Sequence, residues 1–258
     1  MKFLEHLSQK HAFICLQEHW LWTFEKDYID KHIPGMMNHS RCHDVNDPIS
    51  NFQIPRGRGG VAILWPSSLD SHVKKLEDGN ERIIAIEIQT RNKATCLVNA
   101  YMPTKKSNSD VDYQAHLDIL QAIMDKYEDT HTIVFCGDMN GTLMKERNNS
   151  HDKKLTKFIQ SNKLNVHQEM ITNSTPTFYH NDGKSTSQID YIFSNNDVIN
   201  TAMVMQQDPI NSSSHLPVIA NLTKRLKTEV KKGKKSHTTY KLLWKKLTRK
   251  NTKTSSTR

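Results

Sequence analysis

The sequence predicts an α/β domain of the α+β kind, with much of its sheet antiparallel. Two observations carry this. Strand-like apolar runs outnumber helical stretches, and the helices interrupt the strands irregularly instead of alternating with them. Most of the runs are β-branched and bounded by Gly, Pro, Asn or Asp. A chain of 258 residues is long enough to bury a substantial core.

Taken in order, Phe3, Leu4 and Leu7 predict a short helix over residues 2–10, followed by a strand over 12–16. Residues 33–58 lack periodicity and read as a long loop. Within it, His39-Ser40-Arg41-Cys42-His43 has the residue types of a zinc site but no second ligand pair, so it is expected to be solvated. Strands follow over 60–65, Ile83–Ile88 and 95–100. Tyr113, Leu117, Leu120, Met124 and Tyr127 step by four, three, four and three, which puts one apolar face on a helix over Asp110–Tyr127. A strand over 132–136, a short helix over 155–159, and strands over 177–179, 189–193, 202–205 and 217–222 complete the pattern.

Charge divides the chain. Residues 223–258 hold 14 Lys and Arg against one acid, Glu229, a net +13. Residues 1–222 hold 22 basic and 26 acidic residues, a net −4. The expected organisation is therefore a domain over 1–222 and a basic flexible tail over 223–258, usable as a phosphate-binding arm, a linker or a nuclear targeting signal. Mean hydropathy is −0.69. No run approaches the roughly 18–20 apolar residues of a membrane span. The first residues, Met1-Lys2-Phe3-Leu4-Glu5-His6, lack the apolar stretch of a signal peptide. The expectation is an intracellular protein, nuclear if the tail targets it, with no membrane contact; no protein partner is inferable. Cys15, Cys42, Cys96 and Cys136 form no Cys-x-x-Cys pair, and three lie in apolar runs, as expected of buried, reduced thiols.

Polar residues mark the strand ends. "IVFCGDMNGTL" runs a strand into Gly137-Asp138-Met139-Asn140-Gly141, so Asp138 and Asn140 project on one side, two residues apart. A carboxylate and an amide so placed suit an attacking water or a metal; an Asx turn is the structural alternative. Gln17-Glu18 ends the run "AFICLQ", and Tyr101 ends "LVNAY". Asp190 sits inside the apolar run "QIDYIF", where a charge is costly unless paired. His215 follows the polar loop Asn211-Ser212-Ser213-Ser214 and precedes an apolar run. Each is commonly structural; five such strand ends together point to a site.

"CLQEHW", "RGGVAILW", "NAYMP", "GDMNG", "SQIDYIFS" and "SSHLPV" resemble, in order and spacing, the endonuclease/exonuclease/phosphatase superfamily. The spelling is most similar to the endonuclease domains of LINE-type non-LTR retrotransposons. The resemblance spans about residues 10–222. It implies a four-layer sandwich of two packed, mostly antiparallel sheets flanked by helices. It implies hydrolysis of phosphodiester bonds with Mg²⁺ (or Mn²⁺), and DNA as the partner, met by the active-site face and the basic tail. Carried over by position, Glu18 matches the metal-ligating glutamate, Tyr101 a tyrosine against the substrate phosphate, and Asp138 the water-orienting aspartate, with Asn140 its partner. Asp190 matches the carboxylate that holds the histidine, and His215 that histidine, kept cationic by its aspartate. Thr177, near the bound strand, and Ser213 match substrate-binding positions.

Two departures bear on activity. Ser214 stands where the family has aspartate, and serine is a poorer ligand for a hard cation. Family members also open with a strand ending in asparagine; only 17 residues precede Glu18 here, so that strand is expected to be missing. The resulting expectation is a metal-dependent DNA endonuclease of retrotransposon origin, impaired to some degree. The alternative is an inactive retroelement remnant that binds nucleic acid through its tail. A lipid or inositol phosphatase of the same superfamily fits the motif spelling less well.

Overall fold

In a computed structural model, which describes residues 2–49, 57–167, 170, 175–180, 182–227 and 240–246, the apolar runs become strands with alternating faces. The elements are α1 (Lys2–Ser8), β1 (Phe13–Gln17), α2 (Tyr28–His32), β2 (Met36–Arg41), β3 (Val61–Pro66), β4 (Val73–Asn80), β5 (Ile83–Ile88), β6 (Ala94–Tyr101), α3 (Asp110–Tyr127), β7 (His131–Asp138), α4 (Ser150–Ser161), β8 (Asn165–Val166), β9 (Phe178–Tyr179), β10 (Thr186–Ser187), β11 (Asp190–Ser194), β12 (Ile199–Val204), β13 (Val218–Leu222) and β14 (Tyr240–Lys246). They build one sheet in the order β12-β13-β14-β1-β3-β2, a second in the order β4-β5-β6-β7-β11-β8, and the small hairpin β9-β10. Pairing is antiparallel except for β1 with β14 and β6 with β7.

The period-2 geometry of strands explains why these segments read as unbroken apolar runs: both faces of both sheets are covered. Phe13 and Cys15 of β1, Ile63 and Trp65 of β3, Ile84 and Ile86 of β5, and Val134 and Cys136 of β7 meet between the sheets. Ile14, Leu16 and Leu64 face the other way, onto Phe3, Leu4 and Leu7 of α1 and Ile29 of α2. Ile83, Ile133 and Phe135 face Leu117, Leu120 and Met124 of α3 and Leu155 and Phe158 of α4. The result is four layers: helices, sheet, sheet, helices. All four cysteines are free thiols and buried.

The structure departs from the sequence expectation where strands lie at sheet edges. β2 and β4 end their sheets, and each buries little, so their residues are mostly polar. His39 and Arg41 thus belong to a strand, not a solvated loop, and His39 and Cys42 are buried. The helix expected over 155–159 begins at Ser150. Asn149 caps it, accepting from the backbone N–H of His151 and Asp152, while Asp152 accepts in return from the Asn149 N–H.

The larger correction concerns the basic stretch after Leu222. Part of it is built into the fold and is not free tail. Arg91 N–H donates to the Arg225 carbonyl and Lys227 N–H to the Gln89 carbonyl, which ties the stretch to the end of β5. Strand β14 then enters the first sheet, parallel to β1 and antiparallel to β13. The slot beside β1, expected to be vacant, is filled by this strand, and β14 joins β12-β13 to β1-β3-β2.

Candidate active site

The sequence scatters Glu18, Tyr101, Asp138, Asp190 and His215 over nearly 200 residues; the topology gathers them. Register places Tyr101, Asp138 and Asp190 in one row across β6, β7 and β11, because Tyr101 pairs with Asp138 and Asp138 with Asp190. From the other sheet, Glu18 follows the end of β1 and His215 precedes β13. The Tyr101 hydroxyl donates to Glu18 Oε1, which links the two sheets at the site. His215 Nδ1–H donates to Asp190 Oδ2 at 3.0 Å, and Phe178 packs on the imidazole with ring centroids 4.6 Å apart. Ligand atoms of Asp138, Asp190 and His215 all lie within 4.8 Å of one another. Among the described residues four non-glycine residues have positive φ, and Glu18, Trp20 and Asn140 are three of them; such backbone concentrates at functional sites.

Local hydrogen bonds hold this geometry. Asn140 N–H donates to Asp138 Oδ1 at 2.9 Å and its side-chain amide to the Met102 carbonyl at 2.8 Å. The Asx turn is present, and it leaves the Asn140 Oδ1 for a ligand. Tyr113 Oη donates to the Met139 carbonyl, and a Cβ on Gly141 would lie 2.7 Å from that hydroxyl, so this position requires glycine. Gly137, at φ +137°, lets β7 approach β6: a Cβ there would lie 1.9 Å from the Ala100 carbonyl oxygen. Thr177, expected to meet the bound strand, is fully buried, and its hydroxyl accepts from the N–H of Ile189 and Asp190. Ser213, expected to meet substrate, is buried too, with Oγ accepting from His215 N–H. Both brace the Asp190–His215 pair and do not line an open surface.

Burial dominates the electrostatics. It pushes the Asp138 carboxyl up to about 7, with Asp190 adding to the shift and His215 opposing it. It also raises Asp190, against the Thr177 hydroxyl. Burial lowers His215, against the charge of Asp138. The histidine expected to be held cationic by its aspartate is therefore not so held: it is 2% exposed, and losing water costs the imidazolium more than its neighbours return.

A divalent cation fits this donor set. The buried cluster of Asp138, Asp190 and His215 holds carboxylate oxygens within one ion's reach, and Glu18, tied to Tyr101, adds a carboxylate from the other sheet at the same end of the sandwich. Burial first, and the Asp190 carboxylate second, disfavour charge on Asp138, and a bound cation would offset both. Glu18 and Asp138 would hold the ion, whereas Asp190 is committed to His215.

Sequence reading missed three groups. Asn99 is buried between the sheets; its Nδ2 donates to the carbonyls of Leu16 at 2.9 Å and Ala62 at 3.0 Å, and it accepts from Gln17 Nε2. Arg147 grips Asp152 with Nε and Nη2 behind the Asn140 turn. Arg82 lies over the Tyr101 ring, 4.7 Å from its centroid. An amide in "LVNAY" flanked by apolar residues was the available signal for the first; the arginines carried none.

The model of the endonuclease/exonuclease/phosphatase family matches residues 2–215. No curated protein matches the sequence. Among solved structures, the endonuclease domain of TRAS1, a telomere-specific non-LTR retrotransposon, superposes with TM-score 0.62 at 18% identity, covering 86% of this chain and 90% of that one. AP endonuclease LMAP from Leishmania major gives 0.65 at 15% identity over 84% of this chain and 79% of that one. The 3′ phosphatase NExo from Neisseria, bound to a product DNA hairpin, gives 0.64 at 14% identity over 86% and 93%. At these identities the likeness establishes a shared fold.

Proposed function

The chain belongs to the endonuclease/exonuclease/phosphatase family, and from that premise we propose that it is a metal-dependent phosphodiester hydrolase that nicks DNA, of retrotransposon-endonuclease type. The observation that carries the reading is the row Tyr101, Asp138, Asp190 on neighbouring strands, faced by Glu18 and His215 from the opposite sheet. A carboxyl with a pKa near 7 is suited to take a proton from the attacking water, so Asp138 is the base, with Asn140 aligning the water beside it. Asp190 fixes the imidazole through Nδ1, and Nε2 of His215 is the atom assigned to the scissile phosphate. An anionic phosphate there favours the protonated ring, and Nε2–H then stabilises the charge that builds on the phosphoryl oxygens. Tyr101 holds Glu18 for the cation, Mg²⁺ or Mn²⁺. That ion supplies Lewis-acid neutralisation at the phosphate when bound.

Nicking of supercoiled plasmid by the purified chain tests this, with Mg²⁺, Mn²⁺ or EDTA, beside His215→Ala. The expected result is metal-dependent nicking that the variant loses. Nicking that persists in EDTA, or in His215→Ala, overturns the mechanism. The second reading, a nucleic-acid binder without catalysis, is favoured by Ser214 at the position of the family's aspartate and by the basic residues beyond 222. A folded protein that binds DNA and cuts nothing would support it.

A further inference from the structure

A cleft of ≈ 370 Å³ opens beside the candidate site, lined by Glu18, Trp20, His43, Arg58, Arg82 and Tyr101 among others. It shares Glu18 and Tyr101 with the reaction centre, so it flanks that centre. Its volume lies at the small end of the roughly 300–1,000 Å³ of ligand pockets. The walls combine two guanidinium groups with an indole. Arg82 lies over the Tyr101 ring and donates one N–H to the Tyr101 carbonyl, and the other donors of its fork can meet an anion.

The opposite wall is built by glycines. Trp20, at φ +56°, donates its N–H to the Gly59 carbonyl at 3.0 Å. A Cβ on Gly57 would lie 1.8 Å from the Trp20 carbonyl oxygen, and one on Gly60 would lie 2.3 Å from the His19 ring. That ring cannot yield, since its Nδ1 accepts from Leu21 N–H while Nε2 donates to the Arg41 carbonyl. Only this glycine pattern lets the loop lie against residues 18–20, and the loop carries Arg58 into the cleft beside Trp20. The field there is cationic enough to add to burial in lowering the His43 pKa: Arg58 and Arg82 both act downward, Glu81 and Asp44 upward. Arginine beside an aromatic face matches how a nucleic-acid strand is gripped, phosphate by guanidinium and base by stacking.

We propose that this cleft is a nucleotide subsite, in which Arg58 and Arg82 take the phosphodiester next to the one that is cut and Trp20 stacks on that nucleotide's base. The subsite makes a polynucleotide strand, not a phosphate monoester or a lipid headgroup, the preferred substrate. Its placement beside the scissile phosphate rests on the function proposed above.

The test uses the full chain and two variants, Arg58→Gln and Trp20→Leu, each checked for a wild-type far-UV spectrum and melting curve. Fluorescence anisotropy of a labelled 16-nucleotide DNA in EDTA reads binding without cutting. Arg58→Gln should weaken binding about tenfold and lower the slope of log K against log salt by about one phosphate contact. Trp20→Leu should weaken binding about five- to tenfold with the slope kept, as loss of one stacked base implies. For hydrolysis, the ratio of kcat/KM on the oligonucleotide to that on bis(p-nitrophenyl) phosphate should fall about tenfold in both variants. Wild-type affinity and slope in Arg58→Gln, or wild-type affinity in a folded Trp20→Leu, overturns the proposal. If the protein hydrolyses neither substrate, the proposed function fails, and the anisotropy result still decides the subsite.

Discussion

Asn99 offers a test of how the two sheets are locked together at the site. It is 0% exposed on β6, and its amide reaches across the core to the first sheet. Nδ2 donates to the carbonyls of Leu16 on β1 and Ala62 on β3, and Oδ1 accepts from Gln17 Nε2. Gln17 is itself 1% exposed, and its Oε1 has no partner among the described residues, so the bond to Asn99 is what satisfies this side chain. Asn99→Leu keeps the volume and opens no large cavity. It removes three hydrogen bonds, each worth ~1 kcal/mol net, and strands the buried Gln17 amide, while the Leu16 and Ala62 carbonyls remain register partners in the β1–β3 ladder. Together the three bonds give a loss of about 3 kcal/mol, a large share of the roughly 5–15 kcal/mol that holds a domain folded.

Urea unfolding followed by circular dichroism measures this directly. In a cycle with Gln17→Leu, the double variant should be about 1–2 kcal/mol more stable than the two single losses added together, because the second change removes a group the first has orphaned. Gln17 precedes Glu18, and Asn99 lies two residues before Tyr101, so the same substitution should lower kcat at temperatures where the variant remains folded. An Asn99→Leu protein within about 0.5 kcal/mol of wild type, the level of an ordinary surface substitution, would refute the reasoning. So would strict additivity in the cycle.

Three further outcomes are expected. Ile219 and Leu243 are register partners on β13 and β14, so an Ile219→Cys/Leu243→Cys chain should form an intramolecular disulfide on mild oxidation and melt at a higher temperature; a reduced, unshifted product would remove β14 from the sheet. Burial, aided by Arg41 and Lys75 and opposed by Glu77, holds His39 down to about 4 against 6.5 when unfolded. The unfolded chain therefore binds the proton first, and stability is full above pH 6.5 and falls by about 3 kcal/mol as pH drops to 4; His39→Gln should flatten that slope, and an unchanged slope would exclude His39 as its source. Ser214→Asp should tighten Mg²⁺ binding, read by isothermal titration calorimetry, and raise nicking; an unchanged affinity would put the cation elsewhere.

What the sequence discloses follows from what each residue is asked to do. Inner strands such as β5 and β7 are buried on both faces, so their apolar runs are readable at almost their true limits. The site residues are readable for the opposite reason: Asp138 and Asp190 are charges where charge is costly, and such a position needs an explanation from elsewhere in the fold. Edge strands β2 and β4 stay hidden, because one face and one rim meet water and their polar composition matches a loop. Asn99 and Arg82 stay hidden because their partners come from other strands, and one chain read in order contains no record of register. The strand β14 is hidden more deeply. Its residues, Tyr-Lys-Leu-Leu-Trp-Lys-Lys, sit in a stretch of net charge +13, and composition alone assigns such a stretch to solvent. Its place is decided by the sheet. β1 and β13 would otherwise present two unpaired rims at the centre of one layer, and a seven-residue strand satisfies both at once. Because Glu18 leaves β1 and His215 enters β13, the strand between them also sets the span of the site. Residues 240–246 of the basic stretch are thus part of the candidate catalytic architecture, and the last of them, Lys246, lies level with Gln17 at the site's end of the sheet.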